Sequence, residues 1–313
     1  MTRRRSRRRT RHPIARLLLL LLVLAGAGYL FYTAGCRARE DDDGRDRETE
    51  PATGPGAERE GETTAPRGEG PGEEEAPPAA EIPIEPGDGA HVALVIDDLG
   101  ERLEELEALE RLGVPISYAV LPYAEQTPAV VAALKERGEE VLCHLPMEPV
   151  NGQDPGPGAL RLGMPAAELE ASTEAALAAV PGAVGVNNHM GSGLSADPGS
   201  MESILGVLSR HGLFYLDSRT SPQSVGYRLA RTLGVPAAER QVFLDTDPAA
   251  ASIRREFARL LALARQRGAA IAIGHPYPAT LATLAREVPR AQELGYRFVP
   301  VSYLLDQAGE PPE

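Results

Sequence analysis

Tryptophan is absent, and only nine Tyr and five Phe occur among 313 residues. A surface of stacked aromatics for nucleic-acid bases or sugar rings is therefore not expected, Tyr being left to do such work, and we predict no nucleic-acid partner. There are two cysteines, Cys36 and Cys143. That count excludes a zinc ribbon or other thiolate cluster. Cys36 lies beside an apolar N-terminal run and Cys143 in an expected core strand, so no intramolecular disulfide is expected. Lysine is nearly absent, with Lys135 the single one. A G-x-G-x-x-G turn after the first strand is also missing, which disfavours dinucleotide binding.

What is present is unevenly distributed. The formal net charge is −13, yet the first residues are almost all Arg and the stretch from Glu40 to Asp88 is strongly acidic. Residues 1–13 read as a basic cytoplasmic tail. Ile14 to Ala34 is apolar apart from Arg16. At about 1.5 Å per residue it is long enough to cross a hydrocarbon core of about 30 Å. The flanking arginines keep the N-terminus in the cytoplasm, which places the rest outside, in the periplasm. Residues 14–34 are thus expected to be a single-pass signal anchor in the cytoplasmic membrane. A cleaved signal peptide is the alternative, as is a lipoprotein with Cys36 lipidated in Thr33-Ala34-Gly35-Cys36. Residues 35–88 are rich in Glu, Asp, Gly and Pro. They cannot bury enough apolar surface to offset chain entropy, and read as a disordered tether.

From residue 89 to 308 the pattern changes. Short apolar runs alternate with helical periodicity. Strands are expected at Val92–Ile96, Ile116–Leu121, Glu140–Cys143, Ala183–Asn187, Leu213–Leu216, Val242–Leu244, Ala269–Ile273 and Tyr296–Val301. Helices fall between them, starting with Glu101–Leu112 and ending with Ala279–Leu294, the last broken near Pro289. This alternation implies parallel βαβ units. Seven or eight such units in this length suggest a (β/α)7-8 barrel, with a doubly wound open sheet as the alternative.

Barrel sites are built where strands end. The first strand runs into Asp97 and Asp98, a pair that reads as a turn opening the next helix or as part of a site. Two adjacent carboxylates held close together call for a cation or a proton between them. The third strand delivers His144, the fourth Asn188 and His189, the fifth Asp217, the sixth Asp245 and the seventh His275. Asp217 and Asp245 could equally be helix N-caps. Three of six histidines at strand ends are not a scatter. A carboxylate with two imidazoles is a divalent-metal site of catalytic type. A second carboxylate beside it suits a general base, and a His on the far rim suits a general acid.

The phrases HLPMEP, NNHMGS, LDSRTS and IGHPYP, with Asp97-Asp98 after the first strand, resemble the divergent polysaccharide deacetylase family. The resemblance covers about His91 to Leu305. It implies a deformed α/β barrel that hydrolyses acetyl groups on an envelope glycan or peptidoglycan-type substrate. It makes Asp97 the base, Asp98 a metal ligand and His275 the acid. The family's His-x-x-x-His falls on His144 to Glu148, so Glu148 stands where a second His would. Its Arg-x-Pro-Tyr segment falls on Asn187 to Met190, so no arginine stands there to orient the base. The implied metal set is Asp98, His144 and His189, with Glu148 as an additional candidate and zinc the expected ion. The other expectation is an anchored barrel without turnover that binds glycan or an envelope protein.

Overall fold

The computed structural model describes residues 82–307. The expected basic tail, signal anchor, Cys36 and most of the linker lie outside the described residues, as does residue 308. No helix among the described residues is long and apolar enough to cross a membrane.

The strands are β1 (His91–Leu99), β2 (Ser117–Val120), β3 (Glu140–Met147), β4 (Gly185–Met190), β5 (Phe214–Asp217), β6 (Ala237–Glu239), β7 (Val242–Phe243), β8 (Ala269–Gly274) and β9 (Arg297–Phe298). The helices are α1 (Glu105–Glu110), α2 (Thr127–Arg137), α3 (Ala166–Ala179), α4 (Pro198–His211), α5 (Gly226–Thr232), α6 (Ala250–Arg267), α7 (Pro278–Glu293) and α8 (Val301–Gln307). Eight strands follow the order β6-β5-β4-β3-β2-β1-β8-β7, and β9 pairs with β1 off this path. Every pairing is parallel. The result is a curled, deformed barrel with a seam between β6 and β7.

Side chains along a strand alternate between faces, and the two faces here form separate apolar layers. Val92, Leu94 and Ile96 of β1 pack outward with Cys143 and Leu145 of β3 against the helices. Ala93 and Val95 point inward with Leu142, Leu216, Ile271 and Ile273. Those inner residues fill the barrel. By the same alternation Asp97, His144, Asn187, His189 and His275 continue the inward rows beyond the apolar plug. Burying this many Val, Ile and Leu side chains is worth about 1.5–3 kcal/mol each before chain entropy is set against it. That burial holds the polar rim in place.

Several elements differ from the sequence reading. β3 runs four residues past its expected end, and β1 runs three, so Asp97 and Asp98 are strand residues. α1 begins at Glu105 and not at Glu101. β6 has no apolar core of its own and was not expected. α7 is continuous through Pro289, since a single proline removes one backbone hydrogen bond and the helix's buried face carries on. The last strand is only two residues long. Val301 instead starts α8, whose Val301, Leu304 and Leu305 pack against the inner layer. Glu140 fixes that turn by accepting from the Val301 amide (2.9 Å) and the Ser117 hydroxyl (2.6 Å). The residues just before position 89 already lie on the domain. Ile84 packs against the core, and the Tyr296 hydroxyl donates to the Glu85 carbonyl.

Candidate metal centre

Alternation alone would put Asp97 and Asp98 on opposite faces of β1. The register shift between Ile96 and Leu99 breaks it. Asp98 has φ of 59°, in the left-handed region that Asp tolerates better than most residues. This kink turns the second carboxylate back over the rim, so both acids serve one site. β3 and β4 pair His144 with Asn187 and Pro146 with His189, which sets both imidazoles beside the kink.

Three atoms converge. Asp98 Oδ1 lies 2.8 Å from His189 Nδ1 and 3.2 Å from His144 Nε2, and the two ring nitrogens are 3.2 Å apart. Ligands about 2.0–2.2 Å from one zinc ion stand about 2.8–3.6 Å from each other at tetrahedral to right angles. The triangle therefore has the dimensions of three ligands on one face of an ion. Asp98 Oδ1 is buried yet accepts no bond of hydrogen-bond geometry, and an unsatisfied buried acceptor calls for a partner. The donor set of one carboxylate and two imidazoles matches catalytic zinc chemistry.

The electrostatics point the same way. Burial by itself lowers His144, but the Asp97 and Asp98 carboxylates outweigh it and raise its pKa to about 9. Burial by itself raises Asp98, but the His144 and His189 imidazoles hold it well below the usual carboxylate range. The cluster thus demands positive charge at the point where the three atoms meet. A divalent ion meets that demand and releases a proton on binding.

Asn187 organises the floor of the site. Its Nδ2 donates to Asp97 Oδ1 (2.8 Å) and to Ser218 Oγ (3.3 Å). Its Oδ1 lies 2.9 Å from His144 Nδ1. With the Nδ2 group donating to Asp97, that oxygen must accept from Nδ1–H, which leaves Nε2, facing Asp98, as the nitrogen that gives up its proton to bind a metal. A hydrogen bond to the other ring nitrogen commonly fixes the orientation of a ligand histidine in metal sites. Asp97 is almost fully buried, and burial raises its pKa. Its Oδ2 stands 3.6 Å from His144 Nε2.

His275 closes the far side, with Nε2 3.6 Å from Asp98 Oδ2. Asp245 accepts from the His275 amide (2.7 Å) and Thr280 Oγ1 (2.8 Å), and lies 2.9 Å from His275 Nδ1. Burial lowers His275, but the Asp245 hydrogen bond and charge, with Asp98 and Asp97 behind them, leave its pKa raised. Tyr277 stacks on the ring at 5.0 Å and Phe243 meets it edge-on at 5.4 Å.

The remaining candidates lie elsewhere. Asp217 and Asn188 have the opposite strand parity. Asp217 accepts from Ser224 Oγ (2.7 Å), the Tyr227 amide (3.1 Å) and the Arg219 amide (2.9 Å), so it pins the loop into α5. Asn188 accepts from the Tyr215 hydroxyl and the Ser218 amide. Glu148 accepts from the Leu162 amide (2.9 Å) and anchors the loop before α3; it is not among the three convergent ligands. Asp245 supports the site through His275 and touches none of those ligands. Asn187 was missed as a site residue. The available signal was its position at the start of the segment where the family carries its orienting arginine.

A sequence model described as "Divergent polysaccharide deacetylase" matches residues 94–305. An uncharacterized protein of Haemophilus influenzae is 40% identical over 193 residues, 62% of this chain and 69% of that protein. The uncharacterized protein YibQ of Escherichia coli is 39% identical over 197 residues, 63% of this chain and 62% of that protein. The crystal structure of an uncharacterized protein from Agrobacterium tumefaciens is 26% identical with a TM-score of 0.65. That match covers 69% of this chain and 89% of the other.

Proposed function

This chain belongs to the divergent polysaccharide deacetylase family, and on that premise we propose that it is a metal-dependent hydrolase removing acetyl groups from an envelope carbohydrate. The observation that carries the reading is the meeting of Asp98, His144 and His189 at one point, flanked by Asp97 on one side and His275 on the other. A divalent ion held by those three residues supplies Lewis acidity, lowering the pKa of water and polarising a carbonyl; zinc is the ion we propose.

The chain's own residues handle the protons. Asp97 Oδ1 is engaged by Asn187, which leaves Oδ2 as the acceptor aimed at the triad. It takes a proton from the attacking water as the water oxygen bonds to the acetyl carbon. His275 keeps Nδ1–H on Asp245, so the proton it gives leaves from Nε2. That proton passes to the departing nitrogen as the carbon–nitrogen bond breaks, giving acetate and a free amine. For an ester the same proton goes to the departing oxygen. The arginine-rich start and the apolar run at residues 14–34 support a domain anchored at the cytoplasmic membrane and working outside it.

Acetate release from N-acetylated chito-oligosaccharides and from peptidoglycan fragments tests the reading. We expect release that stops with chelator and returns with zinc. Metal binding without release from either substrate would instead favour the anchored barrel that binds glycan and does not turn over.

A further inference from the structure

β6 and β7 are consecutive in sequence but stand at opposite ends of the strand path. Arg240 and Gln241 therefore cross the seam of the barrel. Beside that crossing lies a cavity of about 280 Å³, lined by Arg240, Phe243, Ser252, Arg255 and Arg259 among others. Phe243 links it to the catalytic rim. Its ring lies 4.7 Å from the Arg240 guanidinium carbon and meets the His275 ring at 5.4 Å.

Arg240 is the unusual member. It is half-buried, but among the described residues its guanidinium donates only to backbone carbonyls, those of Ser218 (2.6 Å) and Arg219 (2.9 Å). Among the described residues it makes no ion pair. A guanidinium taken out of water is normally matched by a carboxylate or phosphate. Here the third nitrogen, Nη1, makes no hydrogen bond among the described residues; Asp97 and Asp217 attract the guanidinium from a distance without pairing with it, and Arg219 and Arg259 add a smaller repulsion. The carboxylates lining the cavity are otherwise engaged. Glu256 pairs with Arg259 at 3.0 Å. Asp247 accepts from Ser252 Oγ and the Ala249 amide. Arg255 donates to Ser252 Oγ at 2.8 Å, which holds its guanidinium at the cavity.

We propose that this seam cavity is an anion subsite that binds a carboxylate carried by the glycan next to the acetylated position. The assignment rests on the deacetylase reading for the substrate's backbone, and adds the acidic class of its substituent. The size is consistent with this: about 280 Å³ falls just under the about 300–1,000 Å³ of pockets that enclose a whole ligand. It suits a lactyl or uronic carboxylate and not a further disaccharide. The cavity lies one aromatic ring away from His275, so the carboxylate would sit one substituent away from the acetyl group under attack.

Calorimetric titration of the zinc-loaded full chain tests this without relying on turnover. The probes are a neutral N-acetylated chito-oligosaccharide and an oligomer of N-acetylglucosamine and N-acetylmuramic acid of equal length. The carboxylated oligomer is expected to bind about tenfold or more tightly, as one charge-assisted hydrogen-bond pair provides. Arg255→Gln, at an exposed position, should remove most of that advantage and leave neutral binding unchanged. Arg240→Gln should do the same if it folds. Equal affinity for the two oligomers, no binding of either, or an equal loss for both in Arg255→Gln overturns the subsite. Inorganic phosphate serves as a third probe: binding tighter than that of the carboxylated oligomer would assign the cavity to a free oxyanion and overturn a substrate-borne one. Preferential binding without acetate release would keep the subsite and remove the deacetylase reading. Acetate release with no preference would do the reverse.

Discussion

Asp97→Asn is expected to leave the fold and metal binding in place while lowering acetate release by about 10²–10⁴-fold, the usual worth of a general base. The substitution is nearly isosteric. Asn187 Nδ2, which donates to Asp97 Oδ1 at 2.8 Å, can donate equally to an amide oxygen, so the floor of the site keeps its hydrogen bond. What is lost is the oxygen that accepts a proton. Asp97 titrates above the ordinary carboxylate range because it is buried, although His144, His275 and Asn187 oppose that rise. In the wild type the acid limb of the pH–rate profile should report this group. Residual activity in Asp97→Asn should lack that limb. Zinc content measured on the same sample separates loss of the base from loss of the ion. A variant that keeps its zinc and near-normal acetate release would show that Asp97 is not the base.

The second large effect is expected from a residue that touches none of the three convergent ligands. Asp245→Asn should lower acetate release by about 10²–10⁴-fold and move the alkaline limb to lower pH. Asp245 accepts three hydrogens through two oxygens, from the His275 amide, His275 Nδ1 and Thr280 Oγ1. A carboxamide has one oxygen and one NH₂ group, so at least one of those donors then faces another donor. The imidazole is released from its single tautomer and orientation. The charge argument has a definite sign. Burial pulls His275 down, and Asp245, with Asp98 and Asp97 behind it, outweighs that loss. Removing the negative charge lowers the pKa, so the protonated acid disappears at a lower pH. An unchanged alkaline limb would show that His275 is not the group titrating there.

The sequence carried the barrel because parallel strands buried on both faces read as plain apolar runs. Val92–Ile96 and Ala269–Ile273 are such runs, and they became neighbours in the sheet. It carried the rim because chemistry-bearing residues cluster where those runs end. It did not carry which candidates share the site. Asp217 and His275 both follow a strand, but Asp217 falls in step with the outward Tyr215 and His275 with the inward Ile273. Strand parity separates them, and parity becomes informative only once the inner face is known. The kink at Asp98 was equally hidden, because a positive φ in Asp leaves no mark in composition. β6 is three residues without a long apolar side chain, and among the described strands it pairs with β5 alone. With β6 invisible, so were the seam and the position of Arg240 across it.

Asn187 shows how a departure from a family pattern can still be filled. The segment lacks an arginine, yet its first residue reaches both Asp97 and His144. A neutral amide gives up the cation beside the base and gains a second role in fixing a metal-ligand imidazole.

The most direct test of the metal centre is the stoichiometry and affinity of divalent binding to the purified full chain at neutral pH, followed by titration calorimetry and elemental analysis. The structure predicts about one divalent ion per chain, with proton release on binding, since His144 must give up the proton that Asp97 and Asp98 help it retain. Binding should be lost or weakened at least about 10-fold in Asp98→Ala and His189→Ala and kept in Glu148→Ala and Asp217→Asn. No divalent binding, or binding that ignores Asp98 and His189 and depends on Glu148, would contradict the centre described here and the hydrolase built on it.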